Sequence, residues 1–233
     1  MIRVAWAGPL ALIAAAVVAA ALGGCGQASN PPKPVAERGN AIVAALGDSI
    51  TAGSPLWSPS AAARQRIGPL LDEQSQYEYW AQRLLGNYVR FRNCGAAGER
   101  TDEIARRLDK CASGARYLIV QGGINDIAQG RPVAAAAGDL RKMVVRGKEL
   151  GLRVALVELL PWDNGYPAAA PLIGQLNASI DQIGRDEEVP VYAAYHAIED
   201  PARPGRMRPE LTIDGDHPSV AGYRVLGGLI SLP

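Results

Sequence analysis

A serine hydroxyl attacks a carbonyl only if a neighbouring base takes its proton, and an imidazole serves best when a carboxylate holds its tautomer. Ser49, in Gly47-Asp48-Ser49-Ile50, and the stretch Asp214-Gly215-Asp216-His217-Pro218 supply those three residue types. The chain has only two histidines. His217 follows Asp214 by three residues, so one turn presents both side chains to the same place; His196, in Tyr195-His196-Ala197, has no aspartate so spaced. Attack on an ester would leave negative charge on the carbonyl oxygen, and fixed donors there are usually the largest catalytic contribution. The backbone N–H of Ser49, the backbone N–H of Gly98 and the side-chain amide of Asn125 are the candidate donors. Taken singly, each also has a structural reading: Ser49 as a helix cap, Gly98 as a turn, Asn125 as an Asx-turn or cap.

These residues need a scaffold that brings distant parts of the chain together. Short apolar runs at 41–46, 88–91, 116–121, 152–159 and 189–193 predict five strands buried on both faces. Helical spacing lies between them, in Trp80 and Leu84, in Val133, Ala137, Leu140 and Val144, and in Ile173, Leu176, Ile180 and Ile183. Thr101 reads as the N-cap of a further helix, followed by acids in its first turn. Alternating strands and helices predict an α/β fold with a parallel sheet and helices on both faces. Ligands in such sheets bind beyond the carboxyl ends of the strands. Ser49, Gly98 and Asn125 each follow one of the first three runs, and Pro161-Trp162-Asp163-Asn164 follows the fourth.

In combination the motifs resemble the SGNH (GDSL) hydrolase superfamily, in its bacterial lipoprotein-type form. Its four blocks are matched in order by Gly47-Asp48-Ser49-Ile50, Asn93-x-Gly95-x-x-Gly98, Gly123-x-Asn125-Asp126 and Asp214-x-x-His217-Pro218. The resemblance implies a three-layer α/β/α sandwich with a five-stranded parallel, flavodoxin-like sheet. It implies Ser49 as nucleophile, His217 as base and Asp214 as its orienting acid, with Ser49, Gly98 and Asn125 forming the oxyanion hole. Ile50 stands where the family has leucine, a conservative change. No Gly-x-Ser-x-Gly elbow is present, so the α/β-hydrolase pattern is not met. Asp48 and Asp126 are expected to hold their loops through hydrogen bonds, and Asp216 to be solvated or loop-fixing. Neither metal nor cofactor is implied.

The chain starts with Met-Ile-Arg3, an almost uncharged apolar run at 4–22 and Leu22-Gly23-Gly24-Cys25. This layout resembles a bacterial lipoprotein signal, which would be removed over residues 1–24 and leave Cys25 as the lipidated first residue. The run is also just long enough to span a membrane as a permanent helix. Residues 25–39, with Asn30-Pro31-Pro32-Lys33-Pro34, read as the lipid-bearing cysteine and a solvated tether, and 40–233 as one domain. The expected location is the cell envelope, membrane-anchored on its periplasmic or extracellular face. A net charge of +1 with dispersed arginines gives no basic stripe for nucleic acid, and a monomer is expected. Cys94 and Cys111 are either buried thiols or a disulfide. One straight helix between them would hold them apart, whereas an oxidising compartment would favour pairing.

For substrate, the long segment 54–76 leaves directly from the serine loop, as lids and binding loops often do. Trp57, Trp162 and Tyr166 would line an acyl or sugar pocket or else anchor their own loops. Lipid, aryl and carbohydrate esters all fit, and a sugar O-acyltransferase would use the same residues. The contrasting reading is an envelope-binding lipoprotein that keeps the fold but has little hydrolytic activity.

Overall fold

The computed structural model describes residues 41–232. The expected signal (1–24), Cys25 and the tether (25–39) lie outside the described residues. In chain order the elements are β1 (Ala41–Gly47), α1 (Ser49–Ala52), α2 (Ala61–Ile67), α3 (Tyr77–Leu85), β2 (Val89–Gly95), α4 (Thr101–Ala105) and α5 (Leu108–Ala112). There follow β3 (Tyr117–Val120), α6 (Ile124–Ala128), α7 (Val133–Glu149), β4 (Arg153–Val157), α8 (Ala170–Glu187), β5 (Val191–Tyr192), α9 (Ala194–Ile198) and α10 (Val220–Leu229). All five strands are parallel, in the order β2-β1-β3-β4-β5.

Successive side chains of a strand point to opposite faces, so the apolar runs divide into two cores. Ala44 and Leu46, Leu118 and Val120, and Val154 and Leu156 pack with the buried faces of α4, α5, α7 and α8. Val43 and Ala45, Ile119, and Ala155 and Val157 pack with α3, α9 and α10. The result is the three-layer sandwich. Each large aliphatic side chain buried in this way stabilises the fold by about 1.5–3 kcal/mol.

Differences from the sequence-based expectations concentrate at the sheet edges. The second strand was expected at 88–91 and runs over Val89–Gly95, because an edge strand tolerates the partly exposed Arg92 and Asn93. The other edge strand, β5, shrinks to two residues. Leu84 on α3 is 69 % exposed; the helix instead buries Tyr77, Glu78 and Ala81. Thr101 is not a cap. Arg100 occupies that position, its N–H donating to Glu103 Oε2 (2.9 Å), while the Thr101 side chain is buried and spent elsewhere.

The helix expected between the two cysteines breaks at Arg106-Arg107 into α4 and α5. The Arg107 N–H turns to the Ile104 carbonyl three residues back, and the chain doubles round. That break brings Cys94 and Cys111 to a Cα separation of 6.1 Å, and they form a disulfide. Closing a loop of this length should stabilise the fold by about 3 kcal/mol through the unfolded state. A Cys94→Ala/Cys111→Ala double variant is therefore expected to lose about 3 kcal/mol of unfolding free energy in urea melts, and thiol reduction of the wild type should lower its midpoint similarly.

Candidate active site

The register of the sheet sets the first fact about the site. Gly47 lies opposite Gly95, and Leu46 opposite Val120, so the loops after β1, β2 and β3 leave the sheet side by side. The β1 and β2 loops are in direct contact: the Ala96 N–H donates to the Gly47 carbonyl (3.0 Å), and a Cβ on Gly95 would stand 2.0 Å from the Ala52 nitrogen. Only glycine permits that approach.

Ser49 is the first residue of the single-turn helix α1 and is 8 % exposed. Asp48 caps this turn, its Oδ1 accepting from the Ile50 N–H (2.9 Å). The buried Gln121 at the end of β3 locks the same turn: its Oε1 accepts from the Asp48 N–H (3.3 Å) and the Thr51 hydroxyl (3.0 Å), and its Nε2 donates to Asp48 Oδ2 (3.3 Å). Burial raises the Asp48 carboxyl to about 6, against the lowering effect of the Ile50 and Gln121 hydrogen bonds and of the His217 charge. Beneath it, burial pushes the Glu78 carboxyl and the Tyr77 and Tyr223 hydroxyls well above their usual ranges. Gln121 was not singled out in the sequence; its signal is a polar residue terminating an otherwise apolar strand.

The β2 and β3 loops are tied by Asp126. Fully buried, its carboxylate accepts from the Thr101 N–H and hydroxyl (both 2.9 Å) and pairs with Arg131, which also pairs with Asp139. Asn125 beside it donates from Nδ2 to the Glu99 carbonyl (3.0 Å), and Gln129 donates to the Gly98 carbonyl (3.2 Å). Gly98 (φ 83°) and Asn125 are thus brought together in one corner.

Asp214 and His217 meet in the turn before α10. Asp214 Oδ2 lies 2.9 Å from His217 Nδ1, while Oδ1 accepts from the N–H groups of Asp216 (2.9 Å) and His217 (2.7 Å). Partial burial raises the Asp214 carboxyl, but the His217 bond and the two backbone donors outweigh it and hold it below its usual range. The β4 loop clamps this turn: the Trp162 indole N–H donates to Asp216 Oδ1, Asn164 Nδ2 to the same oxygen (2.7 Å) and to the Asp214 carbonyl (3.0 Å), and the Asp163 N–H to the Gly215 carbonyl (2.9 Å). Asp216 fixes the loop. His196, by contrast, is exposed and bonded to Glu199.

Ile50, Gln121, Ile124, Trp162 and Asp216 line one cavity of about 10 Å³, which unites the ends of β1, β3 and β4 with the Asp214–His217 turn. That is room for about one water molecule. Of the other aromatic candidates, Trp57 packs on Gly53 under the Arg64 guanidinium, and Tyr166 lies under Arg206, 4.4 Å from its ring centre. The long segment after Ser49 contains α2, capped by Ser60.

The profile of the GDSL-like lipase/acylhydrolase family matches residues 45–225. The chain belongs to this family. No curated protein matches it in sequence. Among solved structures it is similar to a protein assigned to the G-D-S-L lipolytic family from Desulfitobacterium hafniense (16 % identity, TM-score 0.66, 82 % of this chain and 97 % of the other). It is also similar to a lipase/acylhydrolase from Enterococcus faecalis (25 %, 0.63, 82 % and 92 %) and a GDSL-like lipase from Bacteroides thetaiotaomicron (20 %, 0.63, 81 % and 84 %). The GDSL-family chain is an ester-bond hydrolase acting on small-molecule esters.

The buried Asp48 makes stability depend on pH. Its folded pKa lies above the ordinary 3.8, so the native state holds this proton more tightly than the unfolded chain. Its favourable contribution is complete below pH about 4 and fades as pH rises through about 6, a change of about 3 kcal/mol. Asp48→Asn should flatten the stability profile over this window, measured by urea melts between pH 4 and 7.

Proposed function

We propose that this GDSL-family protein is a serine esterase for short acyl chains in the cell envelope. The observation that carries the reading is the 2.9 Å contact between Asp214 Oδ2 and His217 Nδ1, which leaves Nε2 as the acceptor for a hydroxyl proton. Ser49 Oγ attacks the ester carbonyl carbon as its proton passes to His217 Nε2, and Asp214 stabilises the imidazolium. The oxyanion is met by the N–H groups of Ser49 and Gly98 and the Asn125 amide, whose second hydrogen remains for it beside the bond to Glu99. The tetrahedral centre collapses, the C–O bond to the alcohol breaks, and His217 protonates the departing oxygen. Water then repeats the sequence on the acyl-serine, with His217 again the base, and releases the acid.

The cavity beside Ile50 and Asp216 has room for only about one water molecule and offers no tunnel for a long acyl chain, which supports a short acyl group. Trp162 lines it, its indole fixed by the bond to Asp216, while the contacts of Trp57 with Gly53 and Arg64 and of Tyr166 with Gly205 and Arg206 support a loop-anchoring role for those two. On p-nitrophenyl esters of graded length, acetate and butyrate should be cleaved with at least about tenfold higher kcat/KM than laurate. Ser49→Ala should lower kcat by at least about 10³-fold toward all of them. Activity of Ser49→Ala equal to wild type would defeat the mechanism, and a preference for laurate would defeat the substrate class.

The sequence at 22–25 supports a lipid anchor on Cys25, each buried methylene adding about 0.8 kcal/mol of membrane affinity. Cys25→Ser is expected to abolish labelling by radioactive palmitate and to move the protein from the membrane to the soluble fraction.

A further inference from the structure

Beside the edge strand β2 lies an open cleft of about 570 Å³, bounded by Pro59, the disulfide Cys94–Cys111 and the side chains of Arg92, Arg107 and Lys110. Three cations around one concavity need accounting for, since the whole chain carries a net charge of only +1. Arg107 is neutralised: its guanidinium pairs with Glu99 (2.7 Å) and donates to the Cys94 and Gly47 carbonyls. Arg92 is held but not neutralised. Its Nη1 donates to the carbonyls of Cys111 and Ser113 (both 2.7 Å), and no carboxylate pairs with it among the described residues. Lys110 has neither a hydrogen-bond nor an ion-pair partner among the described residues; its neighbour Asp109 is taken by Arg146.

We infer that this cleft binds a compact oxyanionic group, a phosphate or carboxylate. Two positive charges remain there without a counter-charge, and a concave wall of low dielectric concentrates their field. The planar Arg92 fork, fixed from behind by two carbonyls, suits the oxygens of such a group, and Lys110 adds a mobile point charge. The cleft also communicates with the reacting end of the sheet, since Arg107 reaches from its wall to the Gly47 carbonyl (3.1 Å), two residues before Ser49. An acyl ester carrying an anionic substituent would place that substituent here, an assignment that rests on the esterase reading above. A free anion would use the same chemistry.

The test separates these sources. Inorganic phosphate is titrated calorimetrically into the full chain at low salt, beside Lys110→Gln and Lys110→Glu. Hydrolysis of p-nitrophenyl hemiesters of succinate, glutarate and adipate is compared with that of the neutral butyrate. Wild type should bind phosphate, more weakly as salt rises, with the dissociation constant raised about tenfold or more in Lys110→Glu and less in Lys110→Gln. Lys110→Glu should also raise KM for the best hemiester several-fold and leave butyrate hydrolysis unchanged. Absence of phosphate binding, or equal binding in Lys110→Glu, overturns the site. Weakened phosphate binding with an unchanged hemiester-to-butyrate ratio overturns the substrate-borne source and leaves a free anion. Phosphate binding needs no turnover, so failure of Ser49→Ala to lose activity would strike the mechanism and not this cleft.

Discussion

A carboxylate with no exposure to water must be paired and hydrogen-bonded, or the fold around it fails. Asp126 is such a group. Its oxygens are satisfied by the Thr101 N–H, the Thr101 hydroxyl and Arg131, so the loop after β3 and the start of α4 keep one spacing. Asn125 and Gly98 sit on either side of that joint. Their positions follow from a charge that cannot be left unsatisfied, and removing Arg131 or Thr101 would expose the same cost.

The serine side is built on a different compromise. Asp48 also lies out of water, yet no cation pairs with it among the described residues; its partners are an amide and a backbone N–H, both neutral. Burial therefore outweighs these bonds and raises the carboxyl to about 6. The Asp214–His217 turn takes a third solution, standing closer to solvent, where the His217 bond and two backbone donors hold the Asp214 carboxyl below its usual range. Three aspartates thus perform three tasks, separated by burial and by partner type. The β4 loop then binds the last turn to the sheet through Trp162, Asp163 and Asn164.

Much of the fold was legible in the residues because central strands bury both faces and so read as unbroken apolar runs. The edges were less so. Val89–Gly95 carries arginines and an asparagine that an interior strand would not tolerate, and its extent depends on having a neighbour on one side only. Thr101 resembled a cap by type, but a hydroxyl goes to the strongest acceptor available, which is Asp126 from 25 residues away. The cysteine pair depended on a break in a helix, and that break is supported by Arg107 binding carbonyls of two other strands.

The sequence by itself determined the parallel α/β class, the four motif blocks and the joining of Asp214 to His217, all properties of local spacing or of burial by residue type. The tertiary structure decided which side chains hold the blocks in place: Gln121, Arg131, Arg107 and the Trp162–Asp216 clamp. It also decided that Cys94 meets Cys111 and that two cations share a cleft without a counter-charge. These are contacts between residues far apart in the chain, and their partners are chosen by the geometry of packing and the cost of an unsatisfied buried group, neither of which has a signature in neighbouring residues.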